Sequence, residues 1–248
     1  MGKVLLEVCV DSVESAMEAA KGGAGRIELC SALSEGGLTP TVGLLKIVKR
    51  TIEPKIPVFV MLRPRRADFC FSPEEIDVIL LDMEVLRENG ADGFVFGALT
   101  AEGSIDVINC RRVIEAAGNL PVTFHRAFDV TNEVDSEKTC TEIADIGFKR
   151  LLTSGFQASA EAGLKQIKKL NEKFHERLII MPGAGINEKN VKKIADESKC
   201  REIHASARIP KNQMTTSGVS MGGGTADLQP LMVTSSGVVG KMIEILGM

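Results

Sequence analysis

The stretch that decides the fold is Val4-Leu5-Leu6-Glu7-Val8-Cys9-Val10-Asp11-Ser12-Val13-Glu14. Its first seven residues read as a strand, short and aliphatic apart from one acid. A doubly wound dinucleotide-binding sheet would place a glycine-rich turn directly after that strand. Residues 11–14 contain no glycine. Working outward, seven further strand-like runs follow, at 26–31, 57–63, 93–99, 121–128, 150–155, 177–183 and 202–207. Their starts are separated by 22, 31, 36, 28, 29, 27 and 25 residues, each about one βα unit. Eight such units in 248 residues predict α/β architecture, a single (β/α)8 TIM barrel spanning 1–248 as one domain.

The segments between the strands carry helix signals. Ser72-Pro73-Glu74-Glu75 supplies a capping hydroxyl, a proline at the first helical position and a capping-box glutamate. Ile76, Ile79, Leu80, Met83 and Leu86 follow at helical spacing, and Asn89-Gly90 marks the stop. Thr39-Pro40 is expected to open the preceding helix ahead of Leu44, Leu45 and Val48. Val239, Met242, Ile243 and Leu246 fit a closing eighth helix. Residues 208–231 lack a pattern and are expected to form a long irregular loop.

Composition narrows the function. Thirty Lys+Arg against 33 Asp+Glu give a charge of −3, with no long basic run, so nucleic-acid binding lacks electrostatic support. No apolar run approaches the roughly 18–20 residues of a membrane span. Glu7 falls too early for a secretory h-region, which points to the cytoplasm.

Strand alternation sorts the side chains. Leu6, Val8 and Val10, Ile27 and Leu29, and Val58, Val60 and Leu62 form aliphatic sets expected to face the helices. The opposite sets carry the charges and must face the lumen, collecting Glu7, Arg26, Glu28, Arg63, His125 and His204. Such groups either neutralise one another as a structural network or serve a site at the C-terminal ends of the strands, where this fold places its active sites. Arg63, His125, Arg126, Asp129 and Arg208 are expected at that mouth, which would suit a small anion. Gly183 and Gly185 follow strand 7, where backbone N–H groups hold phosphate in this fold, although a bare tight turn has the same pattern.

The six cysteines lack zinc-ribbon spacing and a disulfide framework is not expected. Cys110, Cys140 and Cys200 read as packing residues, and Cys70 lies in the loop after strand 3. Cys9 and Cys30 end neighbouring strands with the same inward parity. Two thiolates so placed form a soft pair that selects Cu(I), while two small apolar residues of a packed lumen would give the same pattern.

Glu7-Val8-Cys9-Val10-Asp11-Ser12, Arg26-Ile27-Glu28-Leu29-Cys30-Ser31 and Glu35-Gly36-Gly37-Leu38-Thr39-Pro40 resemble the CutC family of copper homeostasis proteins. So do Val60-Met61-Leu62-Arg63-Pro64-Arg65, Phe96-Gly97-Ala98-Leu99, Pro121-Val122-Thr123-Phe124-His125-Arg126-Ala127-Phe128-Asp129, Leu152-Thr153-Ser154-Gly155, Met181-Pro182-Gly183-Ala184-Gly185-Ile186 and His204-Ala205-Ser206-Ala207-Arg208. The resemblance implies a TIM barrel, a cytoplasmic protein of copper tolerance or trafficking, and self-association as a dimer or tetramer. Two cysteines proposed as copper ligands in eukaryotic members fall on Cys9 and Cys30. Arg66-Ala67 stands where the family has Gly-Gly, and the usual Arg-Asn pair is replaced within Met214-Thr215-Thr216-Ser217-Gly218, so no ligand contact is assigned to that loop.

Two functions follow as expectations. The first is a copper homeostasis protein with Cu(I) held by Cys9 and Cys30. The alternative is an enzyme acting at the mouth on a small anionic metabolite, phosphorylated ones included. There His125 would be general acid/base, Glu7 or Glu28 a second proton-transfer group, and Arg63 with Arg126 an anion clamp. Asp129, Gly183, Gly185, His204 and Arg208 would complete that ligand site.

Overall fold

A computed structural model describes residues 4–211 and 230–247. Eight short parallel strands form the centre: β1 (Leu5–Val10), β2 (Arg26–Leu29), β3 (Val58–Met61), β4 (Gly93–Phe96), β5 (Val122–Phe124), β6 (Arg150–Thr153), β7 (Ile179–Pro182) and β8 (Glu202–Ala205). Hydrogen-bonded neighbours run β7-β6-β5-β4-β3-β2-β1-β8. The end strands β7 and β8 lie side by side, so the sheet curls into a nearly closed barrel. Helices alternate with the strands: α1 (Val13–Lys21), α2 (Val42–Thr51), α3 (Pro73–Glu88), α4 (Val107–Ala117), α5 (Ser136–Ile146), α6 (Leu164–Phe174), α7 (Val191–Ser198) and α8 (Ser236–Ile245). Among the described residues, no helix is long and apolar enough to cross a membrane.

The aliphatic strand faces cause this arrangement. Leu6, Val8, Val10, Ile27, Leu29, Val58, Val60 and Leu62 are fully buried beneath the helices, as the alternation requires. Phe94, Phe96 and Phe124 extend that layer around β4 and β5. Each helix offers a matching stripe, Ile76, Ile79, Met83 and Leu86 on α3 and Val239 and Met242 on α8. Ser72 and Glu75 form the expected capping box, with Pro73 opening α3.

The helix start expected at Thr39-Pro40 lies two residues further on. Thr41 caps α2, its side chain accepting from the Leu44 N–H at 3.1 Å. Thr39 is used elsewhere, its hydroxyl accepting from the Arg63 N–H at 2.9 Å. The 208–231 segment is also not irregular throughout. Arg208–Pro210 forms β9, antiparallel to β10 (Met232–Thr234), because Thr234 ties the segment back to the barrel. Its N–H donates to Ser15 Oγ at 3.2 Å and its hydroxyl to Ser206 O at 3.2 Å. Residues 212–229, including Met214–Gly218, lie outside the described residues.

All six cysteines are free thiols. Cys110, Cys140 and Cys200 pack in the buried aliphatic layer, where burial pushes the Cys110 and Cys200 thiols up to about 12. Their inert packing role follows from that environment. Cys70 is half-buried after β3, its thiol 3.2 Å from Thr100 O.

Candidate functional site

The lumen holds two layers of polar side chains. In the lower layer, towards the strand N-termini, Arg26 bridges Glu7 and Glu202 with separate guanidinium nitrogens. Arg150 Nε adds a second bond to Glu202 at 2.7 Å. The Phe59 ring packs against both arginines, its centroid 4.8 Å from the Arg26 guanidinium carbon and 5.2 Å from that of Arg150. Burial alone would raise the Glu7 carboxyl, but Arg26 and His204 outweigh it and hold the group down at about 2. Glu202 and Arg150 were not singled out from the sequence. A signal existed, since Glu202 shares the parity of His204 two residues on, yet each opens its strand and resembles an exposed flank.

The upper layer begins one pleat higher. Glu7 lies opposite both Arg26 and His204 in register, and Cys9 lies opposite Glu28. Glu7 Oε1 takes His204 Nδ1 at 2.7 Å. This bond leaves the other ring nitrogen, Nε2, 3.8 Å from Glu28 Oε2. One ligand atom from each of Cys9, Glu28 and His204 lies within 4.8 Å of the other two, and all three residues are buried. Cys30 borders this group without joining it. Its thiol lies 3.6 Å from Glu28 Oε2, and its packing partners are Phe59, Met61 and Val95.

Electrostatics couples these groups. Burial raises the Glu28 carboxyl above its ordinary range against the pull of His204. Burial works against charge on His204 too, but Cys9 and Glu28 beside it raise the imidazole well above its usual value. The Cys30 thiol is pushed well up by burial and by Glu28, so it stands as a neutral thiol donating to that carboxyl. Glu28 Oε1 is buried without a hydrogen-bond partner among the described residues.

Arg63 and His125 form a second group at the mouth. Among the described residues the Arg63 guanidinium donates only to backbone carbonyls, those of Glu35, Gly37 and Ala67 at 3.2–3.4 Å, and it stacks on Phe69 at 4.9 Å. The same Phe69 ring packs 4.9 Å from the His125 ring. Arg63 Nε and His125 Nε2 are both buried without partners among the described residues. His125 Nδ1 accepts the Ala127 N–H at 3.2 Å, which places the ring proton on Nε2. Burial first, and Arg63 second, hold His125 down at about 3. Near neutrality this imidazole is therefore uncharged, with its Nε2 proton meeting no partner among the described residues.

That depressed value carries a pH prediction. Below pH 6.5 the unfolded chain takes up a proton on His125, while the folded ring stays neutral down to about 3. Stability is complete above 6.5 and declines through that window by about 1.4 kcal/mol per pH unit for one proton. His125→Asn keeps an acceptor for the Ala127 N–H and should flatten this part of the curve. Urea midpoints measured from pH 7 to 4 on both proteins check it, and identical slopes would refute it.

The remaining residues expected at the mouth are engaged elsewhere. Asp129 is saturated, accepting from Thr153 Oγ1 at 2.5 Å, Ser154 N at 2.9 Å and Ser154 Oγ at 3.0 Å. It ties the turn after β5 to the end of β6, so it offers no free carboxylate to a ligand. Arg126 is bound to Asp129 at 2.8 Å and Ser154 Oγ at 2.9 Å, so the structure does not assemble it with Arg63 as a clamp. Strand β5 ends earlier than expected, and both residues sit in the 3-10 turn Arg126–Val130.

The Gly183 N–H is spent on Thr153 O at 2.9 Å and is not available to a phosphate. The physical need for glycine there is space, because a Cβ would lie 2.6 Å from Leu152 Cδ1 and 3.5 Å from His204 Cβ. Gly185 has φ +69, and its carbonyl accepts from Asn190 Nδ2 at 3.0 Å. Arg208 lies on β9 opposite Thr234.

Comparison with known proteins bears on this arrangement. The sequence profile of the CutC family matches residues 4–209. The copper homeostasis protein cutC homolog of Drosophila melanogaster is 48% identical over 251 residues, covering 98% of this chain and 94% of its own. Its human counterpart is 48% identical over 221 residues, covering 88% and 80%. A solved CutC structure from Streptococcus agalactiae is 31% identical, with a TM-score of 0.78 over 82% of this chain and 98% of its own. The barrel, the matched span and the level of identity lead to one conclusion: this chain belongs to the CutC family of copper homeostasis proteins.

Proposed function

We propose that this protein binds Cu(I) in the mouth of its barrel through Cys9 and Cys30, as a cytoplasmic, self-associating protein of copper tolerance or trafficking built as one domain over 1–248. The observation that carries the reading is two free thiols from adjacent strands, both close to one carboxyl. Cys30 Sγ lies 3.6 Å from Glu28 Oε2, and the Cys9 donor lies within 4.8 Å of a Glu28 oxygen. The donor chemistry fits, because thiolates select Cu(I) over harder ions. Cys30 is completely buried and Cys9 only 8% exposed, so a bound ion would be shielded from water. Ligation must displace the Cys30 proton, which makes uptake pH-dependent.

Titrating reduced protein with Cu(I) against a chromogenic chelator should show close to one equivalent taken up. The Cys9→Ser/Cys30→Ser protein should lose at least about tenfold in affinity, the removal of both soft ligands. Uptake unchanged in the double variant would overturn the reading.

A further inference from the structure

The same mouth contains a donor set that does not need Cys30. Cys9, Glu28 and His204 come from β1, β2 and β8, three adjacent strands whose register pairs Cys9 with Glu28 and Glu7 with His204. Their ligand atoms lie within 4.8 Å of one another. One thiol, one imidazole and one carboxylate make a borderline set rather than a soft one. That chemistry matches Zn(II), which accepts all three ligand types in tetrahedral sites. We propose that Cys9, Glu28 and His204 form a binding site for a divalent cation of the zinc type, overlapping the thiol pair at Cys9 but independent of Cys30.

Two further observations point to a ligand here. A metal-binding histidine characteristically gives its second ring N–H to a carboxylate, which fixes the ring's orientation. His204 does this with Glu7, and Glu7 is itself held by Arg26 in the layer below. The ring is thereby oriented before any ion arrives, with Nε2 on the Glu28 side. Glu28 Oε1 is a buried acceptor with no partner among the described residues, which a protein ordinarily avoids. An ion between the three donors would satisfy it. Two anionic ligands and one neutral imidazole would also balance the charge of a divalent ion. Three protein donors leave the fourth tetrahedral position to water or to a ligand entering the mouth.

The site does not rest on the copper reading, since Cys30 takes no part. The two are coupled only through Cys9, so a divalent ion in place excludes Cu(I) from the thiol pair, and the reverse.

Co(II) is the probe, because a cobalt–thiolate bond gives a charge-transfer absorption that reports sulfur ligation directly. Full-length reduced protein should bind one equivalent of Co(II) with that band, and Zn(II) should bleach it. Cys9→Ala should abolish the band, while Cys30→Ala, which removes only the thiol's hydrogen bond to Glu28, should keep it, with affinity lowered by no more than the roughly 10–100-fold of a lost outer-shell partner. His204→Asn and Glu28→Gln should weaken binding, and Glu7→Gln should weaken it roughly 10–100-fold through loss of ring orientation. Circular dichroism shows whether each variant is folded, and the Cys9→Ala and Cys30→Ala pair decides the matter even if the charged variants are not. Absence of the band in wild-type protein, its survival in Cys9→Ala, or its loss in folded Cys30→Ala each overturns the proposal. Cu(I) titration of Cys30→Ala separates the two sites: Cu(I) uptake lost with Co(II) binding retained supports both readings. Cu(I) uptake retained there refutes the thiol pair and leaves the zinc-type site standing.

Discussion

Arg26→Met should lower the unfolding free energy by about 3–5 kcal/mol, the range for breaking a buried ion pair by removing one partner. The reason is the pair of carboxylates that one guanidinium neutralises. Glu7 is completely buried, and Glu202 is nearly so. Methionine matches much of the arginine's apolar stem but leaves Glu7 with His204 and Glu202 with Arg150. Those residual partners argue for the lower part of the range. Arg26→Lys should recover little, because one ammonium cannot present the separate nitrogens that Arg26 directs at two acids.

The same substitution should change the acid limb of stability. Glu7 is held at about 2 against an ordinary 4.5, with burial opposed by Arg26 and His204. Its contribution is complete above pH 4.5 and lost as pH falls towards 2, so removing Arg26 shrinks that contribution and ends its loss at a higher pH. Urea denaturation with an unchanged m-value measures both effects. A cost below about 1 kcal/mol would mean that water reaches the lower layer and screens it as it does a surface pair.

Gly163→Ala should be the most damaging single methyl at any of the described glycines. Gly163 precedes α6, and a Cβ there would sit 1.9 Å from Ser154 O and 2.9 Å from Gly155 Cα. Real Cβ contacts essentially never fall below 3.0 Å, and the obstacle is backbone rather than a flexible side chain. Gly155 faces the same junction at φ +68, with its own Cβ position 2.4 Å from Gly163 O. Neither side can yield cheaply, because Ser154 is pinned by Asp129 through its N–H and hydroxyl. A loss of at least about 3 kcal/mol is expected, the upper part of the overpacking range. Thermal unfolding reads it directly. A variant within about 1 kcal/mol of wild type would show that the β6–α6 junction moves freely.

Those junctions illustrate what local sequence can and cannot convey. Alternation along β1 correctly placed Leu6, Val8 and Val10 beneath the helices and Glu7 and Cys9 inward, because pleating is a property of one strand alone. Ser72-Pro73-x-Glu75 announced α3 for the same reason, since its capping bonds close within four residues. Asp129 looked like a mouth carboxylate because it follows β5. Apart from Arg126, its partners Thr153, Ser154 and Phe156 lie more than twenty residues downstream. Glu202 and Arg150 looked like strand flanks until the barrel curvature brought Glu202 to Arg26, and Arg150 to Glu202 and Phe59.

The sequence by itself determined eight βα units, the inward or outward side of residues on the first, second, third, fifth and eighth strands, and the polar character of the lumen. Each of these follows from periodicity within one element. The tertiary structure decided which inward groups meet. Parity places Cys9 and Cys30 on the same side, but it does not set their height or their angle around the barrel. Register and curvature set those, placing Glu28 and His204 with Cys9 while Cys30 packs against Phe59, Met61 and Val95. They also send His204, from the far end of the chain, to Glu7 in the first strand. Contacts between residues almost two hundred positions apart are set by how the sheet closes, and that closure is a property of all eight strands together.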